Sequence, residues 1–269
     1  MNRLHALAAL ALVSAAPPPG RAPRIVSINP CVDAVLMQVA DPRQIAGISH
    51  YSQDPRATSI PLPLARRFRA TSGTAEEVVA LAPDLVMTGP HVEPATIAAL
   101  KRMRIAIKQY SVPDTVGESE QQVRDIARVA GHPARGEALA SRIAAAARPS
   151  DGTPVPALIW QSGGLVPGAG TLPDELLRRA GFRNMSAAYG LKKWDVLPLE
   201  YLIARPPRVL LSVGAAEVGE DRLLSHPAVR RLARRIALAP YPARLMNCGG
   251  PTIVAAMARL RQVRGQFGG

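Results

Sequence analysis

Histidines, cysteines and aromatic rings are the side chains of this 269-residue chain that could hold a metal, attack a carbonyl or stack on a flat ligand. The five histidines, His5, His50, His91, His132 and His226, fall singly, with no paired helical spacing and no carboxylate partner near in sequence. A bare zinc or manganese site needs clustered ligands, so none is expected. No G-x-S-x-G elbow, H-E-x-x-H or P-loop occurs, and Ser162-Gly163-Gly164 has no His/Asp support in sequence. The best enzymatic arrangement left is a cysteine hydrolase built on Cys31 or Cys248 with His50 or His91. Five of the ten aromatics, Tyr51, Tyr110, Trp160, Tyr189 and Trp194, fall at or just after expected strands. Broad rings with a few polar groups are how a site for a large, rigid, partly apolar ligand is built, so the chain reads as a binder and not an enzyme.

These side chains have to be positioned by elements that occur twice. Residues 75–90 form a unit in which a carboxylate opens a short helix, a proline stops it, and an apolar run follows as a buried strand. The same unit returns at 199–214, so that Glu76 matches Glu200, Ala80 matches Ala204 and Pro83 matches Pro207, an offset of 124 (200 − 76). One unit cannot bury its helix and strand alone, and two copies imply two similar lobes. The expected fold is α/β, with two Rossmann-like βα lobes of parallel sheet joined by a single long backbone helix.

In the first lobe, strands are expected at Arg24–Asn29, Ile45–Ile48, Leu85–Thr88 and Ile105–Gln109. Their ends carry Cys31, Tyr51, His91 and Tyr110 to one edge, where parallel sheets open their binding crevice. Helices at Val116–Ala130 and Pro133–Ala147 follow, with apolar residues at helical spacing, and the break at 148–154 marks a boundary. The second lobe opens with strand Ala157–Gln161 and a glycine-rich loop. Pro167 and Pro173 interrupt that loop, so it is no dinucleotide fingerprint; close approach of a bulky ligand to the backbone explains its glycines. A helix at Asp174–Ala180, the second repeat copy, a helix near Leu223–Ala233, a strand Arg244–Asn247 and a terminal helix Thr252–Arg264 complete it. The expected division is a signal peptide over 1–16, lobes over 22–130 and 150–269, and the interlobe helix over 131–149.

Met1-Asn2-Arg3 followed by the apolar run Leu4–Val13 reads as a cleavable export signal, too short to span a membrane. Cys31 lies outside any lipidation context, so a free periplasmic protein and not a lipoprotein is expected. The formal charge is +13, yet Arg outnumbers Lys 29 to 4 and the charges are scattered. Without a basic helix interleaved with stacking rings, nucleic acid is not the expected partner. The two cysteines of an exported chain raise the question of pairing. A bond would need their Cα atoms within ~7 Å and would staple the cleft; the pairing stays open, with two free thiols near the site favoured.

Arg24-Ile25-Val26-Ser27-Ile28, Gly47-Ile48-Ser49-His50-Tyr51-Ser52, the stretch Glu76–Val86, Trp194 six residues before Glu200, and Pro207 ahead of its strand occur in an order that resembles one family. It is that of the periplasmic substrate-binding proteins of ABC importers for cobalamin, ferric siderophores or haem, the class III periplasmic binding proteins, and the likeness covers essentially the whole mature chain. The resemblance implies a monomer that closes slightly on a ligand and has no resident cofactor. It makes Glu76 and Glu200 the carboxylates that dock a permease dimer in the inner membrane. It also puts Tyr51 and Trp194 in the cleft, one from each lobe. Ala70-Thr71-Ser72 and Gly89 stand where cobalamin-binding members carry tryptophans. That departure weakens cobalamin and keeps siderophore or haem, whose iron His50, His91, Tyr51 or Tyr110 would contact.

Overall fold

Short apolar runs build two all-parallel sheets. The computed structural model describes residues 22–213 and 235–267. The expected signal segment, the helix near Leu223–Ala233, His5 and His226 lie outside the described residues.

The first sheet has the order β3-β2-β1-β4-β5, with β1 Ile25–Ser27, β2 Ile45–Ser49, β3 Ala70–Thr71, β4 Leu85–Thr88 and β5 Ala106–Gln109. The second has the order β11-β10-β6-β8, with β6 Val155–Trp160, β8 Phe182–Asn184, β10 Val209–Val213 and β11 Ala237–Tyr241. Read from the other edge, β8-β6-β10-β11 matches β2-β1-β4-β5 strand for strand. Each sheet also has its repeat copy in the same place. Helix α3, Ala75–Ala80, leads into β4, and helix α8, Leu199–Ala204, leads into β10. The duplication read in the sequence is therefore a duplication of architecture.

Between the sheets stand α5, Val116–Val129, and α6, Pro133–Ala146, folded back on each other at Gly131, whose φ of +85° suits only glycine. Close approach of the pair depends on Gly136, where an added Cβ would lie 2.4 Å from that of Ala127. The link into the second lobe is thus α6, 14 residues long, with α5 laid antiparallel along it. Helix α1, Pro30–Val39, packs on this pair from one side, and the C-terminal helix α9, Thr252–Gly265, packs on α6 from the other. One apolar cluster runs from Ile25 and Leu36 through Val123, Ile126 and Ile143 to Ile159, Phe182 and Met257. A continuous core of this kind resists hinge motion at its base, unlike the polar contacts usual between domains.

One expected strand moves. Arg244–Asn247 is not extended; Ala243–Leu245 forms a 3-10 turn, and the strand lies earlier, at β11. Pro240 sits inside β11, a position that a proline tolerates because β11 is an edge strand. A further two-stranded antiparallel ribbon joins β7, Leu165–Pro167, to β9, Trp194–Val196, and pairs Pro167 with Trp194.

Candidate functional site

At the carboxyl end of the first sheet, the gap between β1 and β4 is where the chain's direction of winding reverses, the usual place for a ligand. The loop after β1 is fixed by Asn29, whose Oδ1 accepts from the backbone N–H groups of Cys31 (2.8 Å) and Val32 (3.2 Å) and so caps α1. Gly89, after β4, must be a glycine for this cap to exist, since an added Cβ would lie 2.1 Å from the Asn29 amide. The loop after β2 is fixed by Asp33 of α1, fully buried, which accepts from the Ser49 N–H (2.9 Å) and the Ser52 hydroxyl (2.6 Å). Burial pushes the Asp33 carboxyl up to about 7 against the opposing pull of its hydrogen bonds to Ser27, Ser52 and Ser49.

A cavity lies between the lobes and is lined from both. The first lobe contributes Asn29, Cys31, Tyr110, Asp114 and Gln122, and the second Thr171, Leu176, Trp194, Tyr241 and Cys248. Its enclosed volume is about 90 Å³. Tyr110 and Tyr241 face it from corresponding positions, at the ends of β5 and β11 in the two copies. The Tyr110 hydroxyl donates to Asp125 (3.0 Å), and Lys108 sits 3.1 Å from the same carboxylate. Burial, then the Asp125 charge, pushes the Tyr110 phenol up, away from the phenolate that iron takes. Burial pushes the Tyr241 phenol up as well. Among the described residues Asp114 is the one charged residue lining the cavity, and it pairs with Lys193 across the lobes.

The expected site residues divide into three groups. Tyr110, Trp194, Cys31 and Cys248 line the cavity. His50, Tyr51 and His91 are exposed at the same sheet edge, outside the lining. The rings of His50 and Tyr51 lie 4.1 Å apart, and His50 Nδ1 is 3.2 Å from the Thr71 carbonyl. A carbonyl only accepts, so in this contact Nδ1 carries a proton. Trp160 is a correction: it is 1% exposed, packed in the second lobe's own core with Leu158, Leu197 and Leu210, and cannot touch a ligand.

The cysteines are a second correction. Cys31 and Cys248 are bonded, with Cα atoms 5.1 Å apart, so they are not the free thiols expected. A bonded sulfur offers no thiolate, which removes the nucleophile of the hydrolase arrangement in this state. The glycine-rich loop is a third. An added Cβ at Gly168 would lie 1.9 Å from the Lys192 carbonyl, and one at Gly164 would lie 3.1 Å from that of Leu197. Gly164 and Gly168 therefore let the chain pack on itself, while Gly163 and Gly170 have nothing within 4 Å of an added Cβ. Among the described residues no group of three or more His, Cys, Asp or Glu could hold a metal ion, and no helix is long and apolar enough to cross a membrane.

Glu76 and Glu200 are the second residues of α3 and α8, one in each lobe, and both are exposed. A helix that leads directly into a parallel strand runs against it, so both acids stand at the carboxyl edge of their sheets, beside the crevice. Glu77 has different work. Its carboxylate accepts from the Ser72 N–H (2.6 Å) and the Thr71 hydroxyl (2.9 Å), and these bonds hold it below the usual carboxylate range. Sequence reasoning missed Asp33, Asp114, Lys193 and Tyr241. Tyr241 carried a usable signal, its place in the second copy, which Pro240 and Pro242 obscured.

The family model described as "Periplasmic binding protein" matches residues 25–233. No curated protein matches in sequence. Among solved structures, the periplasmic heme-binding protein RhuT from Roseiflexus sp. RS-1 in apo form is 22% identical, with a TM-score of 0.67 over 90% of this chain and 99% of that one. The periplasmic heme-binding protein HutB of Vibrio cholerae is 19% identical, with a TM-score of 0.72 over 90% and 98%. The periplasmic vitamin B12-binding protein BtuF of Vibrio cholerae is 18% identical, with a TM-score of 0.66 over 90% and 96%.

Proposed function

We infer the function from the premise that this chain belongs to the periplasmic binding protein family. We propose that it is the substrate-binding component of an ABC importer. In this reading it works as a monomer in the periplasm, takes a corrinoid, ferric-siderophore or haem-type ligand between its lobes, and delivers it to an inner-membrane permease dimer. One observation carries the reading: the cavity is lined from both lobes, and each lobe presents one exposed acid at the same position of the duplicated unit. Capture and delivery then use different surfaces, with no bond made or broken.

A haem-type ring is the first ligand to test. Two of the three solved neighbours above are periplasmic heme-binding proteins. The exposed His50 Nε2, the Tyr51 phenol and His91 are groups that iron accepts, and Trp194, 45% exposed, offers a flat face from the other lobe. Tyr110, tied to Asp125, acts here as wall and not as iron ligand.

The test is thermal unfolding in the presence of haemin, cyanocobalamin and a ferric siderophore. A ligand held only by the folded form stabilises it by about 2.7 kcal/mol at a hundredfold excess over Kd. One member of the panel should raise the melting temperature in a concentration-dependent way and quench Trp194 fluorescence. A flat response to all three would sink the ligand class.

A further inference from the structure

Two segments 217 residues apart, one from each lobe, are joined covalently across the cavity. We propose that Cys31–Cys248 is a thiol–disulfide exchange site that gates the cleft: oxidised, it holds the lobes closed, and reduction by a dithiol frees them to admit the ligand. The inference rests on the cleft being the ligand site.

Cys31 is the second residue of α1, and Cys248 precedes the turn Gly249-Gly250. That turn is pressed into the first lobe, where the Gly250 N–H donates to Ser119 Oγ at 2.7 Å. Other ties flank the bond: the Asn247 amide donates to the Ala57 carbonyl at 3.1 Å, and Lys193 pairs with Asp114. Such hydrogen bonds and half-exposed ion pairs are individually weak and are replaced by bonds to water when broken. The disulfide does not yield to thermal motion. With the base fixed by the shared core and the middle fixed by this bond, the enclosed space stays near 90 Å³, against roughly 300–1,000 Å³ for a site that buries a drug-sized ligand. A macrocycle does not fit inside that space, so enclosing one within this cavity needs the lobes to move apart.

The exchange balances as a two-electron step with an external dithiol as reductant. Its thiolate attacks Cys31 Sγ, the more exposed sulfur (Cys248 is 8% exposed), and Cys248 leaves as a thiolate that takes a proton. The second thiol of the reductant then attacks its own half of the mixed disulfide and expels Cys31. Two protein thiols and one reductant disulfide result. Cys31 leaves at the first turn of α1, where the helix dipole favours a thiolate.

The full mature chain is compared in three forms: oxidised, reduced with dithiothreitol and desalted under nitrogen, and carrying Cys31→Ser with Cys248→Ser. Small-angle scattering reports lobe separation, and haemin titration reports access. The reduced and double-serine forms should show a larger radius of gyration and take up haemin with an apparent affinity at least about tenfold above that of the oxidised form, whose binding-competent fraction the bond suppresses. A larger radius with no haemin taken up by any form would uphold the gate and sink the haem reading. Equal radii with equal haemin binding in all three forms, or two free thiols in protein isolated from an oxidising compartment, would overturn the gate.

Discussion

Asp33 shows how one side chain can set a loop without touching a ligand. It is wholly buried, ties α1 to the His50–Tyr51 loop through Ser49 and Ser52, and its Oδ1 has no partner among the described residues. Because burial raises its pKa to about 7 from 3.8, the folded chain keeps a proton that the unfolded chain has lost throughout that interval. Stability from this group is therefore full below about pH 4 and declines as pH rises toward 7, the reverse of an ion-paired carboxylate. Asp33→Asn keeps an acceptor but cannot ionise. The variant should gain on the parent as pH rises from 5 to 8 in paired melting curves, and a gap that stays constant over that range would show that Asp33 does not titrate there. No motif flags this residue in the sequence, because burial and the Ser49–Ser52 partners appear only when α1 packs on β2.

At the scale of elements, what was legible followed the distance over which each cause acts. β4 has the bounds its apolar run implied, and α5 and α6 begin where Val116 and Pro133 start the two helical patterns, since strand burial and helix capping are local. β11 was displaced because a proline that forbids an interior strand is harmless at an edge, and edge status is a property of the whole sheet. Trp160 looked like a ligand surface because position at a strand end does not say which face a ring takes. Helix glycines obey the same division, and two of them should respond with opposite signs. Gly117, exposed in the first turn of α5, has nothing nearer an added Cβ than Thr115 Oγ1 at 4.0 Å, so Gly117→Ala should gain up to about 1 kcal/mol from helix propensity. Gly136→Ala gains the same propensity but drives a Cβ to 2.4 Å from that of Ala127. Overpacking costs about 1–3 kcal/mol, so the net change should be a loss, read as a fall of a few degrees in melting temperature. Stabilisation by Gly136→Ala would mean that α5 and α6 are not in this contact.

For the whole molecule the decisive property is symmetry carried by a strongly basic body. A net charge of +13 gives the chain no general attraction for a cationic partner surface, so any such docking has to come from local acids. Exposed carboxylates suit that purpose, because they contribute little to folding yet set register and encounter rate. Glu76 and Glu200 are such a pair, each second in its helix, one per lobe, with no hydrogen bond or ion pair among the described residues. Glu77, one position away, is spent on holding Thr71 and Ser72. Four variants therefore separate docking from folding. Glu76→Ala and Glu200→Ala should each cut uptake of the bound ligand by cells, and together should abolish it, while ligand affinity is unchanged and stability moves by no more than about 0.5 kcal/mol. Glu77→Ala should do the opposite, lowering the melting temperature through two lost charge-assisted hydrogen bonds while uptake persists. Weaker ligand binding in the double variant would place these acids in the cleft instead. Uptake unaffected by their loss would leave the paired geometry as a relic of duplication, since a permease dimer with two equivalent contact points can be gripped symmetrically only by one group from each half of a repeated body.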